Sequence, residues 1–530
     1  MQRASVVSVL IGILLLSAVV AVAEAAPEYG GTLVISSSQT FRGFNPMFDR
    51  ENYSAYVINQ IFDDLICLDP ETLEPAPYLA DSWDVSADGA EIVWHLHHGV
   101  TFHNGEALTA DDVKFTYEWC LDEENASPVS SYLSWLDKVQ VIDDYTVKFI
   151  VKADWAPFAP AILSNNIGIV PKDTFLKMGA DEFRTNPVGS GPFVFKEWAQ
   201  GDHVTLVRNE NYWLTKPYLK EIIFRPIPTL ATAMLELESG GVDITDNLVT
   251  EDIPRFQGMD DVKVEQAPSL SYFWMGFNLR KAPFSDIRFR KAVYESFDMD
   301  AAVQSIFKGL TGERSYGVIP PAMWANDEEY LKNNVALKEN DEDADRLFNE
   351  LRKEGILPKD FSVVVYAPPD PRRVKLATIV ATSLQEHGID ATVQSLEWGS
   401  YMDLMFRSED DPIGDYGMFF FGWSDQPDPH AFLYYLFHSD NARVGGYNTS
   451  GFSDPVVDFL LEKGASSLNQ ETRELAYVAA QRIVMSSYVN IPGYHYIESK
   501  GVRARVHGFS PDPAGGIRIV DPFTNVWVEQ

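Results

Sequence analysis

Two stretches, Lys220–Thr245 and Phe361–Trp398, each carry the pattern strand, amphipathic helix, strand. In the first, a strand at Lys220–Ile227 leads into a helix at Leu230–Glu238, closed by Gly240-Gly241, and a second strand at Val242–Thr245. In the second, Phe361–Tyr366 is the strand and Arg372–His387 the helix, closed by Gly388; Asp390–Trp398 is the returning strand. Val374, Ala377, Thr378, Ala381 and Leu384 keep one face of that helix. A parallel pair made this way needs a crossover and a sheet covered by helices. The chain therefore reads as two α/β lobes. Between them Ser271–Leu279 reads as a strand that carries the chain from one lobe to the other, and Cys67–Gly191 reads as a β-rich insertion. At 530 residues the chain exceeds a single hydrophobic core, in agreement with several domains.

Shorter elements fill the rest. Thr32–Ser36 is a first strand, and Tyr53, Val57, Ile61 and Leu65 have helical spacing. Ile92–His98 alternates as a strand with Ile92, Trp94 and Leu96 on one face. Thr109-Ala-Asp-Asp112 resembles a capping box and opens a helix through Val113, Tyr117, Cys120 and Leu121. Asp144–Val151 is a strand; Pro192–Trp198 and His203–Arg208 form a hairpin around Gln200-Gly-Asp202. Residues 1–25 carry Arg3, an apolar run from Val6 to Ala23, and Ala23-Glu24-Ala25, the layout of a cleaved signal peptide. No cysteine stands near that cleavage site, so a freely soluble exported protein is expected, most simply periplasmic. Cys67 and Cys120 lack CxxC spacing and read as two buried thiols. Lys and Arg total 42 against 77 Asp and Glu, a net charge of −35, which repels nucleic acid and anionic lipid alike.

The most suggestive stretch is Tyr416–His430. It opens as an apolar run typical of a strand buried on both faces, then breaks at Gly422. Trp423 and Asp425 are thereby expected just beyond the strand's carboxyl end, where open α/β sheets bind ligands. An aromatic plate and a carboxylate there could receive an organic cation, such as the amino group of a peptide. The same residues fit a core tryptophan and a turn-capping aspartate equally well. Catalytic signatures are weak: Gly422-Trp-Ser-Asp-Gln426 lacks the closing glycine of a nucleophile elbow. No P-loop and no H-E-x-x-H occur. The acid pairs Asp63-Asp64, Asp143-Asp144 and Asp410-Asp411 are adjacent in sequence and face opposite ways on a strand. His95, His97, His98 and His103 cluster, and the preferred reading is an exposed hairpin that happens to hold imidazoles. No enzyme, cofactor or metal is expected.

Several segments taken in order resemble the extracellular solute-binding protein family 5, the dipeptide-, oligopeptide- and nickel-binding proteins of ABC importers. Trp83–Gly89, Val100–Gly105 and Leu108–Val113 are similar to its most recognisable signature. Val188–Phe193, Arg208–Trp213, Pro283–Ala292, Gly422–Pro429 and Asn448–Pro455 match later blocks, so the likeness covers nearly the whole mature chain. It implies an α/β fold like the type II periplasmic binding proteins, with two hinged lobes and a β-rich inserted domain. Domain I would comprise 26–66, 192–278 and 490–530, domain II 67–191, and domain III 279–489. It further implies a monomer that captures a peptide or other amine-bearing solute between domains I and III and docks on a membrane permease. An oligosaccharide ligand is the alternative, and a carboxylate-based hydrolase a more distant one. In peptide binders an aspartate of the Gly-Trp loop pairs with the peptide's amino group, and Asp425 matches it with one residue missing after Trp423. Where dipeptide binders have an arginine for the free carboxylate, Ala367 stands here; Arg42 could supply the cation instead. Trp423, Trp274 and Trp398 are the candidate apolar walls, with plain core burial preferred for Trp274 and Trp398.

Overall fold

A computed structural model describes residues 26–49, 52–70, 72–133, 135–152, 167–424 and 427–530. The expected signal peptide and Asp425 lie outside the described residues.

The first lobe is built on a four-stranded sheet in which Thr32–Ser37 runs parallel to Glu221–Pro226. The hairpin His203–Arg208 and Phe193–Ala199 continues it antiparallel. Helix Leu230–Ser239 follows as expected and ends on Gly240 in the left-handed conformation. The strand expected at Val242–Thr245 is reduced to a bridge, with Ile244 pairing Ile35 on one side and Val502 on the other. The reason lies in Asp243. Its carboxylate accepts the Val34 N–H at 2.9 Å and is gripped by Arg505 at 2.7 and 2.8 Å, so a side chain takes one position of the ladder, while the backbone keeps Asp243 N–H to Val34 O at 2.7 Å and Ser36 N–H to Ile244 O at 2.9 Å.

The second lobe holds the order Ser271–Phe277, Met418–Ser424, Ser362–Ala367, Asp390–Ser395. The last two strands are parallel and joined by helix Pro371–Glu386, which is the strand–helix–strand unit read from the sequence. The returning strand stops at Ser395 and Trp398 opens a helix, because Glu397 accepts the Gly399 N–H at 2.8 Å and caps it. The insertion forms its own four-stranded sheet with helix Ala110–Leu121 packed on it. The capping box is present: the Thr109 N–H donates to Asp112 at 2.9 Å.

One strand belongs to both lobes. Asn490–Arg503 pairs through Asn490–Tyr494 with Ser271–Phe277 and through Ile497–Arg503 with Val262–Pro268. The chain thus passes between the sheets twice, at Pro268–Ser271 and at Tyr494–Ile497. The two crossings are bonded together: Tyr496 N–H donates to Ser271 Oγ at 3.1 Å, Ser269 N–H to Tyr496 O at 3.1 Å, and His495 Nδ1 lies 2.5 Å from Ser271 O. One large cluster of buried apolar side chains joins the first lobe to the insertion, from Leu33 and Ile35 through Trp94 to Phe149, and a smaller one in the first lobe surrounds Leu237 and Phe256. Those of the second lobe are separate, around Phe289 and Val365 and around Phe419 and Tyr477. A packed core resists shear, so bending is concentrated where the lobes meet through two short strand segments. Both cysteines are buried thiols, and burial pushes Cys67 up to about 12, which removes it as a nucleophile near neutral pH. Among the described residues no helix is long and apolar enough to cross a membrane.

Candidate functional site

A cleft of about 870 Å³ lies over the strand crossings, between the two lobes. Tyr53, Tyr56 and the segment Asp246–Glu251 supply its first-lobe wall. Ser305, Ile306, Lys308, Pro371, Arg372 and Lys375 supply the second-lobe wall, and Tyr496–Lys500 of the shared strand lies between them. Pockets that hold small organic ligands span about 300–1,000 Å³, so the size suits a short peptide or a compact solute.

The walls differ in charge. On the first lobe Asp246 is buried and accepts both the Ser38 N–H at 2.8 Å and the Ser38 hydroxyl at 2.7 Å. Lys500, also buried, donates to Asp246 O at 2.6 Å and to Glu498 at 3.2 Å, which compensates that acid. Burial raises the Tyr53 and Tyr56 phenols, so both stay neutral donors. On the second lobe Arg372 lies over the Tyr496 ring at 4.5 Å and is paired with Asp370 at 2.7 and 3.2 Å. Burial works against its charge, but the Asp370 carboxylate and the neighbouring phenols hold the guanidinium above its ordinary range. Lys375 donates to Ser305 O at 3.3 Å. Near the crossings the walls touch, with Thr250 and Thr311 hydroxyls 2.5 Å apart and Lys308 4.0 Å from Glu251.

The residues singled out from the sequence sit elsewhere. Strand Met418–Ser424 continues through Gly422, and Trp423 pairs with Tyr272 inside it instead of standing beyond its end. Gly422 is no break: a Cβ there would overlap the Phe273 ring, so the glycine lets two strands keep a close contact. Trp423 is half-buried, donates from Nε1 to Ala431 O at 3.1 Å and packs on Tyr435 and Tyr447. Trp274 is in the core, stacked on Tyr272 with centroids 4.9 Å apart. Trp398 is 48% exposed at a helix start, not in the core, and Arg42 is exposed on the loop that follows the first strand. Neither Trp423, Trp274, Trp398 nor Arg42 lines the 870 Å³ cleft. The histidines disperse: His95 meets Asp84, His97 packs on Trp213, His98 stacks on Tyr145, and half-buried His103 faces Gly191 O at 3.0 Å. Among the described residues no group of three or more His, Cys, Asp or Glu could hold a metal ion.

Arg372, Lys375 and Tyr496 escaped the sequence reading, yet one signal was there. Helix Pro371–Glu386 has no acid in its first turn and instead opens with Arg372, Arg373 and, one turn on, Lys375. The helix dipole favours anions at that end, so cations there go against local preference, as residues kept for another purpose do.

The family described as "Bacterial extracellular solute-binding proteins, family 5 Middle" matches residues 74–443. Heme-binding protein A of Haemophilus influenzae is 27% identical, with 96% of this chain and 94% of that protein covered. The dipeptide-binding protein of Escherichia coli is 26% identical, with 96% and 97% covered. Among solved structures, the periplasmic binding protein DppA of Helicobacter pylori in complex with the peptide STSA superposes with a TM-score of 0.76 at 26% identity, covering 95% of this chain and 99% of that one.

Proposed function

This chain belongs to the bacterial extracellular solute-binding proteins of family 5, and from that premise we propose that it captures a short peptide in the interlobe cleft and delivers it to an ABC permease. The observation that carries the reading is the position of the cleft. It straddles the two crossings, so its volume depends on the angle between the lobes, and a guest touching both walls changes the balance of open and closed forms. A ligand shifts such an equilibrium only through its differential affinity for the two states. The relatives named for dipeptides, and a structural neighbour holding the peptide STSA, support a peptide as the guest.

In this reading residues 1–25 are a signal peptide cleaved near Ala25, and the mature protein is a periplasmic monomer. The rigid unit is domains I (26–66, 192–278, 490–530) and II (67–191), supported by their common core, and domain III (279–489) closes on it. Asp425 receives the peptide's amino group, because a carboxylate enclosed on closure demands a cation. A charge-assisted bond set of about 1.5–3 kcal/mol corresponds to roughly ten- to a hundred-fold in affinity. Asp425→Ala is therefore expected to weaken binding by that factor for a free-amine peptide and to leave its N-acetylated form unaffected. Titration calorimetry with peptides first identified by native mass spectrometry checks this; an undiminished Asp425→Ala affinity removes the anchor, and retention of a sugar in place of a peptide removes the peptide.

A further inference from the structure

We propose that the face of helix Pro371–Glu386 bearing Arg372 and Lys375 is the seat for the ligand's free carboxylate; this rests on the interlobe cleft being the peptide site. Arg372 and Lys375 are three residues apart, on one face of the helix, and both line the cleft. Their donors are only partly spent. A guanidinium has five N–H groups, and Asp370 engages the Nε–H and one Nη of Arg372. The Tyr496 ring supports one face of the group, which fixes its plane. The ammonium of Lys375 has three donors, of which Ser305 O takes one at 3.3 Å.

Charge also favours this wall. Asp370 offsets Arg372, which leaves Lys375 with no carboxylate partner among the described residues. Behind it Arg373 turns inward over Phe273 at 4.9 Å, and its buried Nε has no hydrogen-bond partner among the described residues. The chain as a whole carries −35, a field that turns anions away, so a carboxylate needs a local excess of cations to be held. Ala367, where dipeptide binders are expected to place an arginine, is buried and offers none. The helix start compensates for it from one turn further along the chain.

The test is capture from a mixed pool of di- to pentapeptides in which every sequence is present as free acid and as C-terminal amide, read by native mass spectrometry. Wild-type protein is expected to enrich free acids about tenfold or more over amides. The variant R372Q/K375Q is expected to capture both forms equally, while its melting temperature falls by no more than a few degrees, because the Arg372 side chain is 43% exposed and an ion pair that open to water contributes only about 0–1 kcal/mol. Equal capture of acids and amides by the wild type, or a preference unchanged in the variant, overturns this assignment and leaves peptide binding standing. Capture of no peptide at all overturns the peptide reading itself and this assignment with it.

Discussion

Asp63→Ala is expected to destabilise the first lobe by about 4 kcal/mol or more, the largest effect of any single truncation considered. Asp63 is fully buried, and its carboxylate accepts four hydrogen bonds: Tyr78 Oη at 2.6 Å, Tyr212 Oη at 2.9 Å, Ser190 Oγ at 2.8 Å and Trp213 Nε1 at 2.9 Å. The donors come from three separate parts of the chain: the start of the insertion, the loop before strand Phe193–Ala199, and the segment after strand His203–Arg208. Burial, with the Asp63 charge beside them, keeps both phenols far above their ordinary range, so they remain donors at every accessible pH. Removing the carboxylate lets Tyr78 and Tyr212 bond each other across their 2.9 Å separation, but leaves the buried Ser190 hydroxyl and the half-buried Trp213 indole N–H without their acceptor. Each stranded donor costs about 1–3 kcal/mol. Asp63→Asn retains one acceptor oxygen but points an NH₂ at donors, so an intermediate loss is expected. Urea denaturation followed by tryptophan fluorescence measures both. An Asp63→Ala midpoint within about 0.5 kcal/mol of wild type means the cluster is not a keystone.

How much of this was legible in the sequence depended on how local the determining interaction is. The helix after Thr109 could be read because its cap, Asp112, lies three residues away. The unit Ser362–Ser395 could be read because its strands, helix and closing glycine are contiguous. Gly422 was misread as a break because its purpose depends on Phe273, a distant residue on the neighbouring strand. Val242–Thr245 was misread as a full strand because Arg505, far along the chain, fixes the Asp243 carboxylate that takes one position of the ladder. Strand Ser271–Phe277 is buried at every position, so no alternation marks which of its side chains face a ligand, and Trp274 could not be told from core. The second-lobe cleft wall was hidden for the opposite reason. Arg372 and Lys375 look like ordinary solvated helix residues until the shared strand brings Tyr496 beneath them. The broken charge rule of that first helical turn was the only trace left in the sequence.

The second large effect is expected at the foot of the Gly-Trp loop, from Arg473→Met. Arg473 and Asp428 form an ion pair at 2.7 Å in which the side chains are 6% and 3% exposed. Asp428 also caps helix Pro429–Phe437 by accepting the His430 N–H at 2.9 Å. Arg473 in turn donates to Gly464 O at 3.0 Å and lies over Trp324 and Tyr477. Three helices, Pro429–Phe437, Pro455–Ser466 and Gln470–Ser486, are thus pinned at one point. Breaking a buried pair from one side costs about 3–5 kcal/mol, because the partner's charge is left uncompensated, whereas replacing both sides costs less. Arg473→Met is accordingly expected to lose that amount, and the double variant Asp428→Ser/Arg473→Met, which keeps a capping hydroxyl, to recover part of it. Strictly additive losses in this cycle mean the pair contributes no coupling. Acid probes the same cluster. Burial, aided by the charges of Arg473 and His438, pushes His430 down to about 3, so the folded ring stays neutral where the unfolded one takes a proton near pH 6.5. The unfolded state then binds more protons than the native one, and stability present above that pH is lost as the pH falls below it. The urea midpoint of the second lobe is expected to decline from pH 7.5 to 5, and His430→Gln to flatten the decline; an unchanged slope in that variant assigns the acid sensitivity to other groups.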